Sequence, residues 1–555
     1  MDPPRATMHP EGRAIASATK EDSGKSIIKI DSKASKWSKF LQFLGPGILI
    51  AVVYVDPGQI TVDMESGSVF QYKLLWALIV SNLMGLLFQH VCTRLSITTG
   101  RNLAEENRLE YPYKVRLFLW FSVELASIAA DVGYVMGTAI ALQILTGMQL
   151  HYGVLITGLD TFLALGLQYF GIRTVEMIVG MLFGTVLLCY LVEIFLVSPS
   201  IGGILDGMIP RLWHSNEKFG VKTWIELLCA NLGAAVCPPN FFLQSALVNI
   251  RAIDRTEKAV REAFAFNLAE TSLCLFLATL VNLVMLILAA SEFFPERVVS
   301  LSQGADLLRN TLGDSASSAF AIAMLCAGQS SSLTGVLSTQ YIMEGFFEMT
   351  IPGWAVRLVT RVIAILPAFL IVYLYGPNTA ADLIEKAQVV VNLVVPFTVI
   401  PLTKFLCSEI KMGVFVLPRW LQNVCWASSI AAIVLNLFSI TETLSTLTES
   451  DAANAFFTVT VVGLYLGFSG YLGARRVRVD TEGKVVDLRV GRRETEGGFL
   501  DFGWFASWGA KGNPGSGGSV ALSWHPTRNE MVMAIAAAIL VGITLLSLSW
   551  MLLDQ

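Results

Sequence analysis

Val52-Val53-Tyr54-Val55-Asp56-Pro57-Gly58-Gln59-Ile60 interrupts an apolar run that begins near Phe40. A carboxylate at membrane depth costs roughly 2.5 kcal/mol or more, so Asp56 reads as a functional group rather than a packing residue. Pro57 removes a backbone donor and Gly58 lets the chain leave helical geometry. The stretch therefore predicts a helix broken beside Asp56, with carbonyls freed from the helical ladder. Such backbone is tolerated at that depth only where it is buried in protein or lines a cavity. A carboxylate, the Gln59 amide and bare carbonyls make a donor set for a hard or borderline cation.

The surrounding chain is that of a polytopic membrane protein. Of 555 residues, 54% are hydrophobic and 15% charged, which excludes an ordinary soluble globule. The net charge of -4 decides little, because the placement of Lys and Arg sets orientation. The eight cysteines lie in or beside apolar runs, so no disulfide framework is expected. Residues 1–39 are polar, lack a signal-peptide core and read as a disordered cytosolic tail. Thirteen apolar runs are long enough to span. They are expected to group as a first repeat over 40–197, a second over 222–406, two further spans over 420–474, a cytosolic linker over 475–529 and a thirteenth span over 530–553. Arg101, Arg108, Lys114 and Arg116, then Arg251, Arg255, Lys258 and Arg261, fall in alternate loops. This places the N-terminus in the cytosol. The membrane could be the plasma membrane or an endomembrane.

A second interruption, Leu232-Gly233-Ala234-Ala235-Val236-Cys237-Pro238-Pro239-Asn240, falls five spans after the first. Interrupted helices in corresponding places of two halves point to a transporter site at an inverted-repeat interface. The site is expected to comprise Asp56, Gln59, carbonyls near Val53 and Ala234, and the Cys237 sulfur. Hard oxygens with one soft sulfur favour a divalent transition ion over Ca²⁺ or Mg²⁺. Glu124 and Asp131 stand two helical turns apart in the third span and share a face. Two intramembrane acids on one stripe read as a proton relay or as members of an ion pair.

These residues resemble the Nramp family of divalent-metal transporters. Asp56-Pro57-Gly58 followed by Tyr72-Lys73-Leu74-Leu75-Trp76 is similar to its first span. Pro238-x-Asn240 followed by Ser245-Ala246-Leu247-Val248 is similar to its sixth. The most specific match is Gly328-Gln329-Ser330-Ser331-Ser332-Leu333-Thr334-Gly335 with Gln340-Tyr341-Ile342-Met343-Glu344-Gly345-Phe346. The resemblance implies an all-α LeuT-type fold: two inverted five-helix repeats, with two or three further C-terminal membrane helices. It implies that Gln388 reaches the metal when the site closes, although a plain interhelical hydrogen bond is an equal reading. It makes Asp131 a proton acceptor near Asp56 and pairs Arg361 with the acidic line; a purely structural Asp131–Arg361 pair is the competing reading. Asp56 is then both ligand and a member of the proton pathway.

The chain departs from the family where it matters. Gln59 replaces the Asn of Asp-Pro-Gly-Asn, and Cys237-Pro238-Pro239 replaces Met-Pro-His. A second family histidine, four residues after Asn240, is Gln244, and an acid three residues after Asp131 is Tyr134. The resulting expectation is a proton-coupled importer of Mn²⁺/Fe²⁺-type ions. Alternatives are a Mg²⁺ or other hard-cation carrier with weak coupling, or a non-transporting metal sensor. No enzyme motif and no resident cofactor is expected; the metal is substrate and H⁺ the coupling ion. The partners are the ion and the lipid bilayer, with no nucleic acid and an open oligomeric state.

Overall fold

The computed structural model describes residues 28–29, 42, 45–159, 166, 172–197, 199–211, 218–253, 256–298, 301–347, 353–376, 379–445, 451–475 and 477. The linker and thirteenth span expected over 475–553 lie almost wholly outside these residues, as does most of the fourth span. The described residues are nearly all helical. Nine helices among them are long and apolar enough to cross a membrane.

The first span is broken as expected. Helix α1 (Pro46–Val53) stops at Tyr54, and α2 (Pro57–Phe70) starts after Asp56. Pro57 occupies the first helical position, where its missing N–H costs nothing and its fixed φ suits the helix. Asp56 caps α2: its Oδ1 accepts from the Gln59 N–H at 2.6 Å. Every residue of α2 is buried, so this half-helix threads protein rather than lipid. A 3₁₀ turn at Gln71–Leu74 leads into α3 (Leu75–Thr99). The short α4 (Leu103–Glu110), which carries a reciprocal Asn102–Glu105 capping box, precedes the long α5 (Tyr113–Thr146). Then come α6 (Leu150–Thr157), α7 (Ile172–Leu196) and the surface helix α8 (Ile201–Gly207).

The second break is built like the first. Helix α9 (Val221–Ala235) ends at Val236, and α10 (Pro238–Asn249) opens on both prolines with Cys237 as its cap residue. The sequence reading has Pro238-Pro239 ending a helix; in the structure they start one, which is the position proline tolerates best. Helices α11 (Glu257–Glu292), α12 (Leu301–Leu312), α13 (Asp314–Phe347), α14 (Gly353–Tyr375) and α15 (Thr379–Leu406) follow. The short α16 (Glu409–Met412) leads to α17 (Arg419–Ser445) and α18 (Asp451–Ala474).

Two residues of the tail expected to be disordered, Ile28–Lys29, form β1 and pair in parallel with β2 (Arg251–Ala252) after α10. At those two residues the expectation of disorder does not hold.

Helix α5 packs against α13 and α15, and α11 against α1, α2 and α3, so both broken helices are enclosed by continuous ones. The enclosing helices also satisfy the backbone that the breaks release. Asn282 of α11 donates to the Tyr54 carbonyl at 2.8 Å. Ser338 of α13 donates to the Pro239 carbonyl at 2.9 Å. In α15, Pro396 lacks the N–H that would bond the Asn392 carbonyl; Asn436 of α17 supplies the donor at 2.8 Å.

Candidate metal centre

The two breaks meet across α15. Gly58 lies against the Gln388 side chain so closely that a Cβ there would collide with the amide nitrogen and crowd Asp56 Oδ1. A Cβ at Gly233, one residue before Ala234, would collide with the Gln388 carbonyl and Asn392. Glycine at both places is what lets α15 touch the start of α2 and the end of α9 together. Gln388 thus sits between the half-helices, buried, with its Nε2 lacking a hydrogen-bond partner among the described residues.

Asp56 is 4% exposed, Gln59 is fully buried and Cys237 is 5% exposed. Cys237 lies within Coulombic reach of Asp56. Gln59 donates its Nε2–H to Asp63 Oδ1 at 2.7 Å, and its Oε1 has no hydrogen-bond partner among the described residues. Val53 is the last residue of α1 and Ala234 the penultimate residue of α9, so their carbonyls belong to helix C-termini without intrahelical partners. Among the described residues no three His, Cys, Asp or Glu side chains group closely enough to hold a metal. An ion at the breaks would therefore draw on Asp56 and Cys237, with its remaining contacts from carbonyl and amide oxygens.

Beside the breaks is a small cavity of about 10 Å³, room for about one water molecule, lined by Val53, Ser127, Ala130, Asp131, Tyr134, Pro239, Asn240, Thr334, Gly335 and Ser338. It joins the end of α1, the start of α10 and the middle of α5. Asp131 and Arg361 are 1% and 2% exposed and form an ion pair, with Oδ1 and one guanidinium nitrogen 3.5 Å apart. Glu124, buried two turns away on α5, is not part of the cavity lining. The structure thus brings Asp56, Gln59, Gln388 and Cys237 to the breaks and Val53, Asp131 and Tyr134 to the adjoining cavity. Gln244, which replaces a family histidine, is a packing hub: it donates to Thr93 at 2.9 Å and to Thr271 at 3.3 Å, tying α10 to α3 and α11.

The sequence reading missed Asn282, Ser338 and Asp63. The first two are distant partners with no local signal. Asp63 stands four residues after Gln59 on one helix, and that spacing alone was legible.

Two half-helices facing each other inside a cage of continuous helices, with a carboxylate at the break, define a membrane transporter of the LeuT-type fold. Comparison with known proteins agrees. Residues 47–442 match the family model described as Nramp, natural resistance-associated macrophage protein-like. The divalent metal cation transporter MntH of a Nostoc species is 39% identical over 75% of this chain and 94% of its own length. MntH of Listeria welshimeri is likewise 39% identical, over 76% of this chain and 94% of its own. A crystal structure of the Eremococcus coleocola manganese transporter, in complex with an aromatic bis-isothiourea substituted compound, superposes with a TM-score of 0.74 at 30% identity. It covers 81% of this chain and 98% of that one. Mhp1, a nucleobase-cation-symport-1 family transporter, shares the fold at a TM-score of 0.50 and 15% identity, covering 83% of this chain and 98% of its own. This chain belongs to the Nramp family and is an integral, multi-pass membrane transporter, not an enzyme.

Proposed function

We propose that the chain carries a divalent transition-metal ion of the Mn²⁺/Fe²⁺ type toward the cytosol by alternating access, with protons as the coupling ion. The observation that carries this reading is the meeting of both helix breaks at Gln388, with Asp56 as an anionic and Cys237 as a soft donor at the breaks. The names of the relatives, a divalent metal cation transporter and a manganese transporter, support the same ion class. Asp56, Gln59, Cys237, Gln388 and the Val53 and Ala234 carbonyls are the proposed ligands.

Metal binding requires Asp56 deprotonated, so loading the ion sheds any proton held there. Asp131, on the cavity that reaches Val53 and ion-paired with Arg361, is the proposed acceptor. With the N-terminus cytosolic, as the Lys and Arg distribution of the loops supports, that cavity lies on the cytosolic side of the breaks. The proton then leaves on the same side as the metal.

A hard-cation reading is favoured by one set of observations: Gln59, Cys237 and Pro239 stand where the family has Asn, Met and His. The two readings separate in purified protein in liposomes, with uptake of Mn²⁺ measured against Fe²⁺, Cd²⁺, Mg²⁺ and Ca²⁺ while internal pH is recorded. Competition by Cd²⁺ and Fe²⁺ with internal acidification is the expected result. Competition by Mg²⁺ alone selects the hard-cation carrier, and no uptake at all selects a sensor. Asp56→Ala is expected to abolish uptake; intact uptake would overturn the site.

A further inference from the structure

Helices α2 and α15 touch at the ion site, where Gly58 lies against Gln388. Each carries a carboxylate further out on the same side. Glu65 stands seven residues beyond Gly58, about 10 Å along α2, and Glu385 three residues before Gln388, about 4.5 Å along α15. With the N-terminus cytosolic, both lie on the non-cytosolic side of the breaks. Arg297, just after α11, bridges them. Its Nε donates to Glu65 Oε1 at 2.8 Å. Its Nη2 lies 2.6 Å from the same oxygen and 3.9 Å from Glu385 Oε2. The carboxylate side chains are 7% and 11% exposed and that of Arg297 is 36% exposed, so the bridge sits at the outer edge of the protein. The segment that presents Arg297 is itself seated on α2. The Val298 N–H donates to Ser68 Oγ at 3.3 Å, and Gly304 of α12 lies so close to Met64 that a Cβ would collide with the sulfur. The two arms of the bridge therefore differ. The arm to α2 is short, doubled and backed by these contacts; the arm to α15 is single and long. An arginine held this way parts from Glu385 more readily than from Glu65.

We propose that Arg297 is the outer latch of the transport cycle: anchored on Glu65, it closes α15 against α2 through Glu385, and release of that one contact opens the ion site to the non-cytosolic side. This rests on the alternating-access reading. Arg297 touches none of the proposed ligands; it is a positioning residue that sets how often the two helices stand apart. A partly exposed ion pair contributes little, and its loss moves an equilibrium by up to about fivefold. That scale suits a gate, which has to close and reopen in every cycle rather than stay locked.

Cys237 reports on the opening, because it stands at the breaks and is 5% exposed with the latch closed. The full-length protein, in right-side-out and in inside-out membrane vesicles, is treated with a membrane-impermeant methanethiosulfonate. Modification of Cys237 is followed by the mass of its peptide. Glu385→Gln is expected to speed modification from the outer side about threefold to fivefold. It is expected to slow modification from the cytosolic side, because one equilibrium governs both openings. Arg297→Gln is expected to do the same, and Arg297→Lys, which keeps the charge, to fall between it and the unaltered protein. In the Arg297→Gln background, adding Glu385→Gln is expected to change the rate by less than about twofold. Outer modification that is unchanged in the single variants would overturn the proposal. A rise from both sides would overturn it too, being the mark of a loosened fold rather than of a shifted gate. Glu385→Gln touches only the long arm and serves where Arg297→Gln does not fold. Mn²⁺ uptake by the unaltered protein in liposomes judges the reading beneath: its absence would overturn that reading, whereas intact uptake with unshifted Cys237 modification would overturn the latch alone.

Discussion

Removing one member of the Asp131–Arg361 pair should destabilise the fold more than removing both. The two groups lie 3.5 Å apart and are 1% and 2% exposed. At an effective dielectric constant near 20, that separation is worth about 5 kcal/mol of attraction. The pair joins α5 to α14, so it acts across the helix cage beside the cavity. Arg361→Gln takes the guanidinium from beside a buried carboxylate, and Asp131→Asn takes the carboxylate from beside a buried guanidinium; each is expected to cost about 3 to 5 kcal/mol. The double variant removes both charges and is expected to recover most of that loss. The measurement is denaturant unfolding of the four proteins in one detergent, read as a double-mutant cycle. Strongly non-additive losses, with a coupling of several kcal/mol, are expected. A coupling near ~0.6 kcal/mol, the average for interhelical hydrogen bonds in membranes, would refute the reasoning: it would mean that water or other groups already solvate each charge.

Three other outcomes follow from single features. Cys237→Met is expected to keep transition-metal transport, whereas Cys237→Ala weakens discrimination against Ca²⁺ and Mg²⁺; a competition panel with the same selectivity in both variants would remove the sulfur from the site. Asn436→Leu removes the donor to the Asn392 carbonyl that Pro396 leaves free, so it should destabilise by about 1 kcal/mol, whereas Asn436→Leu with Pro396→Ala, which restores the helical N–H, should regain it; unfolding of both variants in detergent checks this. Asp206 of α8 is held below the usual carboxylate range by hydrogen bonds from Lys73 and Arg211. Its folded pKa is depressed, so its contribution to docking α8 is present above the ordinary carboxylate pKa and fades as pH falls through the depressed value; amide exchange in Ile201–Gly207 should rise there, and in Asp206→Asn it should be high already at neutral pH.

Both helix breaks were legible because their causes are local. Pro57-Gly58 and Pro238-Pro239 each forbid a continuous helix whatever surrounds them. Asp56 was legible because a lone carboxylate in an apolar run has few bland explanations. The partners that make the breaks tolerable were not. Asn282 reaches the Tyr54 carbonyl across 228 residues of sequence, and Ser338 reaches Pro239 across 99. Nothing near either residue distinguishes it from any other polar side chain on a membrane helix. Gln388 could be named only through the family resemblance; its place depends on Gly58 and Gly233 admitting α15, which is a property of packing rather than of any one segment. The pairing of Ile28–Lys29 with Arg251–Ala252 was invisible for the same reason: a two-residue strand has no periodicity to read.

Under the proposed proton coupling, the departures at the second break constrain how a proton would leave the site. Helix α10 runs Pro238 to Asn249 without one ionisable side chain. Pro239 contributes only its carbonyl, which Ser338 holds, and Gln244 is committed to Thr93 and Thr271. The helix that in the family carries the histidines is therefore electrically silent here. On the wall of the cavity beside the breaks, the ionisable side chains are Asp131 and Tyr134, and a phenol titrates near ~10 in water. Among the described residues that line this cavity, Asp131 on α5 is the one carboxylate on the proposed proton route. Coupling is expected to be weaker than in a relay of several groups and to depend on one residue. Asp131→Asn should then abolish metal-driven acidification of liposomes while leaving Asp56 to bind the ion, so Mn²⁺ binding persists. Acidification that survives Asp131→Asn would place the proton's route outside this cavity.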